Sequence, residues 1–448
     1  MKWITHKVNK LKQSSLAKDS FWSVFGNGMG NVILLVTSML VARMLKKDLF
    51  GEFGMVKNTM FYIASFSTFG LGYTSTKFIA HAIEEHRSDV SSIVRAVSII
   101  TLVSSLIMSA LLLLFAEQLA LYIQTPQLAQ PFRFLGLILI TKAVSTTQTG
   151  ILAGYKAFKP LGINTIISSL TLLVVSLPLT HFMDVYGALL GLLSSQLVLC
   201  IANGIIIKRI SRTQNDFHKK SLSPTIKKIL KFSFPVALQE LSYTMCNWGA
   251  MLLISKYAAI GEVGLFTAAT QWGAIILFIP TLLQNVILSY LSGLTKNTKY
   301  HQRFLWQMMA LNLICSILPF LGILALSGVI TSFYGNSFAD LRVVINVYAF
   351  ATIPMCLTSV LQADLLAKGH NWMLFILRTI RDVVIVVTAY LLFSTQPEQS
   401  TALNLSLINV VAYSLSAITL FVFLQRATNK ITTKTNTNSS MHTQEETQ

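Results

Sequence analysis

Twelve apolar runs, each close to the roughly 20 residues that a helix needs to cross a bilayer, fill most of this 448-residue chain. They fall near residues 21–42, 53–75, 96–115, 134–154, 163–180, 186–207, 232–255, 265–291, 305–326, 343–366, 373–393 and 403–424. Only 12% of residues are charged and 53% are hydrophobic, whereas a soluble domain carries about 25% charged residues. A fold of this size cannot hide so much apolar side chain from water, so the solvent is lipid. Twelve spans take about 240 residues, and the remainder, shared among tails and loops, leaves no room for an extramembrane domain. The predicted fold is an all-α polytopic membrane protein with twelve transmembrane helices.

The charge then sets the orientation. The chain has 35 Lys+Arg against 17 Asp+Glu, a net charge of +18. An even number of spans puts both ends on one side, and 25 of the 35 cations fall there. Six fall opposite, at Arg43, Lys46, Lys47, Arg133, Lys256 and Arg342. By the positive-inside rule both termini are cytoplasmic. The basic excess is therefore topology signal and does not call for a nucleic-acid partner. Residues 1–19 form a basic tail, and the apolar run after it is too long for a cleaved signal peptide.

Residues 208–231 hold eight cations and one acid, Asp216. Within them Ser223-Pro224 is a helix start, with serine as cap and proline at the first helical position. Leu222, Ile226, Ile229 and Leu230 line one face; Lys227, Lys228 and Lys231 point away. This pattern predicts an amphipathic helix on the inner leaflet, held by anionic lipid; a plain charged linker is the alternative. Residues 426–448 are rich in Thr, Asn and Gln and read as a disordered tail. The four cysteines lie in apolar runs and read as packing residues, and no metal site or cofactor is expected. No histidine lies mid-run, which argues against a buried histidine relay.

The linker separates residues 20–207 from residues 232–425, six spans each, and the halves echo one another. Gly51-Glu52-Phe53-Gly54 follows span 1, and Gly261-Glu262-Val263-Gly264 follows span 7. Ser20-Phe21 opens span 1 and Ser233-Phe234 opens span 7; Leu152-Ala153 ends span 4 and Leu366-Ala367 ends span 10. Their common order predicts an internal repeat. Six spans per unit make the repeats parallel, around a central cavity in which cargo sits while the halves rock.

Residues 20–80 resemble the polysaccharide-biosynthesis transporters, the Wzx-type flippases of the multidrug/oligosaccharidyl-lipid/polysaccharide (MOP) exporter superfamily. The resemblance rests on Leu40-Val41-Ala42-Arg43-Met44-Leu45, Phe50-Gly51-Glu52-Phe53-Gly54 as an aromatic-glycine turn, Phe69-Gly70-Leu71-Gly72 as a helix end, and Lys77-Phe78-Ile79-Ala80. It implies a non-enzymatic flippase of the bacterial cytoplasmic (inner) membrane. The implied cargo is an undecaprenyl-pyrophosphate-linked oligosaccharide, an O-antigen or capsular unit, moved to the outer leaflet. A glycan polymerase and a chain-length regulator are the protein partners it implies. The sequence departs from the family in its basic first loop, Lys46-Lys47, and related lipid II flippases usually have fourteen helices.

Ionisable residues within the bilayer are costly and mark candidate sites. In span 4, Lys142 shares a face with Ser145, Thr146 and Thr149; it lines a wet phosphate-binding cavity or pairs with a carboxylate such as Glu240. In span 11, Arg378 can pair with Asp382 at i+4, leaving Arg381 as the net charge. These arginines form a fork for pyrophosphate oxygens or a structural ion pair. Lys57 snorkels, or faces the cavity with Asn58 and Thr59. In span 7, Glu240 binds a coupling cation or proton, or neutralises Lys142. The repeat makes Asn27 the counterpart of Glu240 and Asn31 that of Thr244, so spans 1 and 7 both carry polar atoms at depth. Asp364 reads as a wetted helix-end charge. Gly26, Gly28 and Gly30 make span 1 irregular, and Pro178, Pro280, Pro319 and Pro354 are bending points.

Four in-span cations against two acids, or three with Asp364, favour an anionic cargo. A cation-coupled multidrug exporter, the main alternative, calls for the opposite balance. A membrane glycan polymerase needs an acid/base pair outside the membrane, and the longest outer loop has one acid, Glu117, and no histidine. No phosphate-binding Gly-x-x-x-x-Gly-Lys-Ser/Thr string supports ATP-driven transport.

Overall fold

A computed structural model describes the backbone at residues 2–68, 70–84, 90–213, 222–293, 298–395 and 400–445. Those residues are almost wholly helical. The helices are α1 (Lys2–Ser67), α2 (Leu71–Glu84), α3 (Val90–Tyr122), α4 (Ala129–Gly154), α5 (Phe158–Thr213), α6 (Leu222–Tyr257), α7 (Ile260–Gly293), α8 (Thr298–Tyr334), α9 (Leu341–Ala367), α10 (Asn371–Thr395) and α11 (Thr401–Glu445).

Among the described residues, eight helical stretches are long and apolar enough to span a bilayer. Two of them are double-length. α1 breaks at Lys46 (φ 61°, ψ 179°) and α5 at Asp184 (φ 47°, ψ −125°), so each makes two passes. α6 and α10 complete the predicted twelve. Arg378, Arg381 and Asp382 interrupt the apolar run of α10. α2 continues the second pass after a bend at Gly70, whose φ of 65° suits glycine.

The repeat is visible in the backbone. α3 and α4 are joined through a 3-10 turn at Pro126–Leu128, and α8 and α9 through one at Asn336–Phe338. α4 ends with Lys156 N–H donating to the Ala153 carbonyl and Ala157 N–H to that of Leu152; α9 ends with Gly369 donating to Leu366 and His370 to Leu365. This shared helix-closing pattern aligns Ala153 with Leu366. The sequence match of Leu152-Ala153 to Leu366-Ala367 is thus out of register by one residue.

Several local expectations are revised. Gly51 to Gly54 is helix, not turn, as is its counterpart Gly261 to Gly264. Span 1 is regular through its glycines, because Gly26 packs against the backbone of Gly162 and Gly30 against Thr165. The 208–231 segment is not a separate surface helix. Its first residues end α5, residues 214–221 lie outside the described residues, and α6 runs unbroken from Leu222. Ile229 is fully buried among Leu71, Ile79 and Val90, so protein covers part of the face assigned to lipid. The C-terminal residues continue α11 to Glu445, with no Gly or Pro after Thr401 to stop it.

Asp364 is not wetted. It is fully buried, and accepts from His301 Nε2 at 2.5 Å and Lys368 Nζ at 2.8 Å. His301 is itself buried, although it lies outside the apolar runs. This group ties α8 to α9. Removing one member of a buried ion pair costs about 3–5 kcal/mol. Asp364→Ala is therefore expected to lower the unfolding temperature of the detergent-purified protein by several degrees; an unchanged transition would show the triad to be structurally idle.

Candidate functional site

The two halves meet along a seam where the second pass, the later part of α1, lies against the start of α7. The repeated glycines make this approach possible. A Cβ on Gly51 would collide with the backbone of Ile260, and one on Gly264 would stand 2.8 Å from the Lys47 carbonyl oxygen and 3.1 Å from Gly51 N. Further along, Asn58 Nδ2 donates to Thr267 Oγ1 at 3.0 Å and Trp248 Nε1 to Thr59 Oγ1 at 3.2 Å.

Charge closes the same end. Lys47 Nζ lies 3.3 Å from Glu262 Oε1 and 3.7 Å from Asp340 Oδ2. The other oxygen of Glu262 accepts from Ser400 Oγ at 2.8 Å and Ala402 N–H at 3.1 Å. The basic first loop, anomalous as a topology signal, is thereby explained: Lys47 is spent on an ion pair between the halves.

Beyond the seam, α10 brings its charges inward. Arg381 and Asp382 are both buried. Arg381 donates to Asp382 Oδ1 from Nε at 2.9 Å and from a terminal nitrogen at 2.6 Å. Its guanidinium lies over the Tyr413 ring of α11, 4.2 Å from the centroid. The sequence spacing assigned Asp382 to Arg378 and left Arg381 as the net charge; the structure reverses this. Arg378 instead lies 5.9 Å from the centroid of Tyr243 on α6 and makes no ion pair among the described residues.

Two tyrosines, Tyr413 on α11 and Tyr243 on α6, flank this group. Tyr62 on α1 and Tyr348 on α9 lie within electrostatic reach of those two phenols. Tyr243 stands three residues after Glu240 on the same helix, and the other three have no local pattern that groups them. The available signal was a tyrosine inside a span, whose hydroxyl needs a polar partner once buried.

The lysines lie on the first half. Lys142 Nζ sits 4.8 Å from the Phe61 ring centroid, and Lys57 Nζ 5.8 Å from that of Phe53. Lys57 and Phe61 are one helical turn apart, so both lysines attend the same stripe of α1. Each cation–π contact contributes about 0.5–2 kcal/mol. Lys142 and Glu240 do not pair; neither makes an ion pair among the described residues. Ser145, on the Lys142 stripe, donates to Gln196 Oε1 at 3.1 Å. Asn27 is half-buried and Asn31 exposed on the first pass, and no contact ties Asn31 to the arginine group.

The arrangement offers guanidinium N–H and phenol O–H donors, with a surplus of positive charge, on elements of both halves. Such a set suits oxyanions. Residues 16–295, most of the chain, match the family model described as "Polysaccharide biosynthesis protein".

The chain belongs to the polysaccharide biosynthesis protein family.

Its fold is that of MOP-superfamily transporters. The family member is similar to an inward-facing multidrug resistance MATE transporter of that superfamily, at 15% identity over 90% of this chain and 96% of the other, TM-score 0.77. It is similar to the lipid II flippase MurJ in an inward closed conformation, at 18% identity over 89% and 86%, TM-score 0.70. It is also similar to a MOP-superfamily transporter from Pyrococcus furiosus described as having a binding pocket of reverse polarity, at 15% identity over 92% and 95%, TM-score 0.64. No curated protein sequence matches the chain closely. The family and the twelve-pass, two-repeat architecture expected from the sequence are both borne out, and the chain is a multi-pass membrane protein.

Proposed function

We propose that the chain is a flippase of the bacterial cytoplasmic membrane that moves an undecaprenyl-pyrophosphate-linked oligosaccharide from the inner to the outer leaflet. The observation that carries this reading is the charge of the central group. Arg378 and Arg381, flanked by Tyr243 and Tyr413, face one acid, Asp382. A pyrophosphate meets the free guanidinium of Arg378 first and then competes with Asp382 for Arg381. Phenol hydroxyls donate to the remaining oxygens. Lys57 and Lys142 add positive charge on the facing half. Sugars occupy the polar space, while the isoprenoid stays in apolar surroundings.

Transfer follows from rocking of the halves. With 25 cations on the side of the termini, the Lys47–Glu262 seam lies on the outer face. A closed outer seam presents the arginines to the inner leaflet; opening it releases the head group outward. Lys208, Arg209 and Arg212, exposed at the end of α5, meet anionic lipid on the inner side. Glu240, with no ion-pair partner among the described residues, is the candidate for a coupling proton or cation.

Cation-coupled drug export is the second reading, supported by the likeness to MATE folds. It accounts poorly for arginines at the centre. Depleting the chain from its cell distinguishes the two. Lipid-linked oligosaccharide should accumulate facing the cytoplasm while surface glycan disappears. Normal glycan with raised drug sensitivity would favour the exporter.

A further inference from the structure

A crevice beside the arginine group has the character of a chain-binding groove. It lies between α1, α3 and α6, has a volume of about 240 Å³, and is walled by Tyr62, Phe66, Met108, Phe115, Met245 and Trp248. Phe115 and Met245 are more than half exposed, so its mouth lies on the surface that faces lipid. α1 and α3 belong to the first half and α6 to the second, so the crevice sits on a boundary that rocking would reshape.

Tyr62 and Thr244 link its wall to the polar group. Tyr62 lies within electrostatic reach of Tyr413, the ring under Arg381. Thr244, also in the wall, follows Tyr243, the ring beside Arg378. Tyr62 stands sixteen residues beyond the break at Lys46, about 24 Å along the helix and hence inside the roughly 30 Å hydrocarbon layer. A ligand filling both places has an anionic head and an apolar body joined at that depth. The two guanidinium groups of Arg378 and Arg381 suit the two phosphates of a diphosphate, where a membrane phospholipid offers one. The adaptable thioethers of Met108 and Met245 suit an irregular, methyl-branched chain.

We infer that this crevice seats the first isoprene units of a polyisoprenyl diphosphate whose diphosphate lies on Arg378 and Arg381. The inference rests on the flippase reading and adds a residue-level path for the tail. Tail binding here explains how a long lipid stays attached to a protein whose head-group site is polar.

The test uses the full chain in phosphatidylcholine nanodiscs, with inorganic pyrophosphate and farnesyl diphosphate as probes and empty discs as background. Farnesyl diphosphate should bind at least about tenfold tighter than pyrophosphate, a modest return for burying a few methylene-sized groups. Met108→Trp should fill the crevice and remove that advantage while pyrophosphate binding stays unchanged. Met245→Trp at the exposed mouth is the second variant, should the first not fold. An advantage that survives in the folded variants, or that is missing from the wild type, overturns the crevice assignment alone. Failure of both probes to bind the wild type overturns the diphosphate reading and the inference with it.

Discussion

Arg381→Gln is expected to reduce surface glycan by about 30-fold or more, the consequence of losing one partner of a buried charge pair, worth about 2–5 kcal/mol. Two effects are combined in that loss. Arg381 contributes one of the guanidinium groups offered to pyrophosphate, and its removal also leaves Asp382 buried without its ion-pair partner. The double variant Arg381→Gln, Asp382→Asn separates them. It removes both charges while keeping polar side chains of similar shape, so protein level and thermal stability should recover. Glycan should not. Recovery of glycan in the double variant would make the pair a structural brace and move the head-group site elsewhere. Arg378→Gln has no such stability cost, since Arg378 makes no ion pair among the described residues, and should lower glycan at full protein level.

The second large effect is expected at the seam. Gly51→Val places a branched side chain where even a Cβ meets the backbone of Ile260. The halves cannot close there, and an alternating cycle loses one of its two end states. Glycan should fall to the level of a strain lacking the chain, although the protein is inserted normally. A reporter cysteine at Thr267, which touches Gly54 and accepts from Asn58 in the closed seam, should gain reactivity toward a membrane-impermeant maleimide in the valine background. Unchanged labelling and normal glycan would mean that the seam is not a moving contact.

What could be read from the sequence follows from how lipid selects residues. Spans are long apolar runs, so their number, order and two-fold repeat were legible. The sharp turns were less so. Lys46 and Asp184 carry no Gly or Pro signal, and the chain reverses at single residues where short loops were expected. The glycine-rich strings after spans 1 and 7 were found, but their role was hidden. Local sequence suggests a turn; only the approach of the opposite half shows why glycine is needed within a helix.

The pairing of the in-span charges was not legible. Helix spacing favours Arg378 with Asp382 at i+4. Tyr413, contributed by α11, instead stacks on the Arg381 guanidinium, which donates to Asp382. Asp364 looked wet because it lies near a helix end. Its burial comes from His301, 63 residues earlier in the chain, and no local pattern reports such a partner. The tyrosines beside the arginines were not legible, because a tyrosine within an apolar run reads as one more large apolar residue and the arginine it meets comes from another helix.

The central claim is that this chain moves an anionic lipid-linked glycan across the bilayer. Its most direct measurement uses the purified chain in liposomes that carry undecaprenyl-pyrophosphate-linked oligosaccharide in one leaflet, with a membrane-impermeant glycan-cleaving enzyme reporting exposure on the other side. Wild-type protein should expose the glycan within minutes, Arg381→Gln should not, and an organic cation should be neither carried nor inhibitory. Movement of the cation, with the lipid-linked glycan left where it was, would contradict the account.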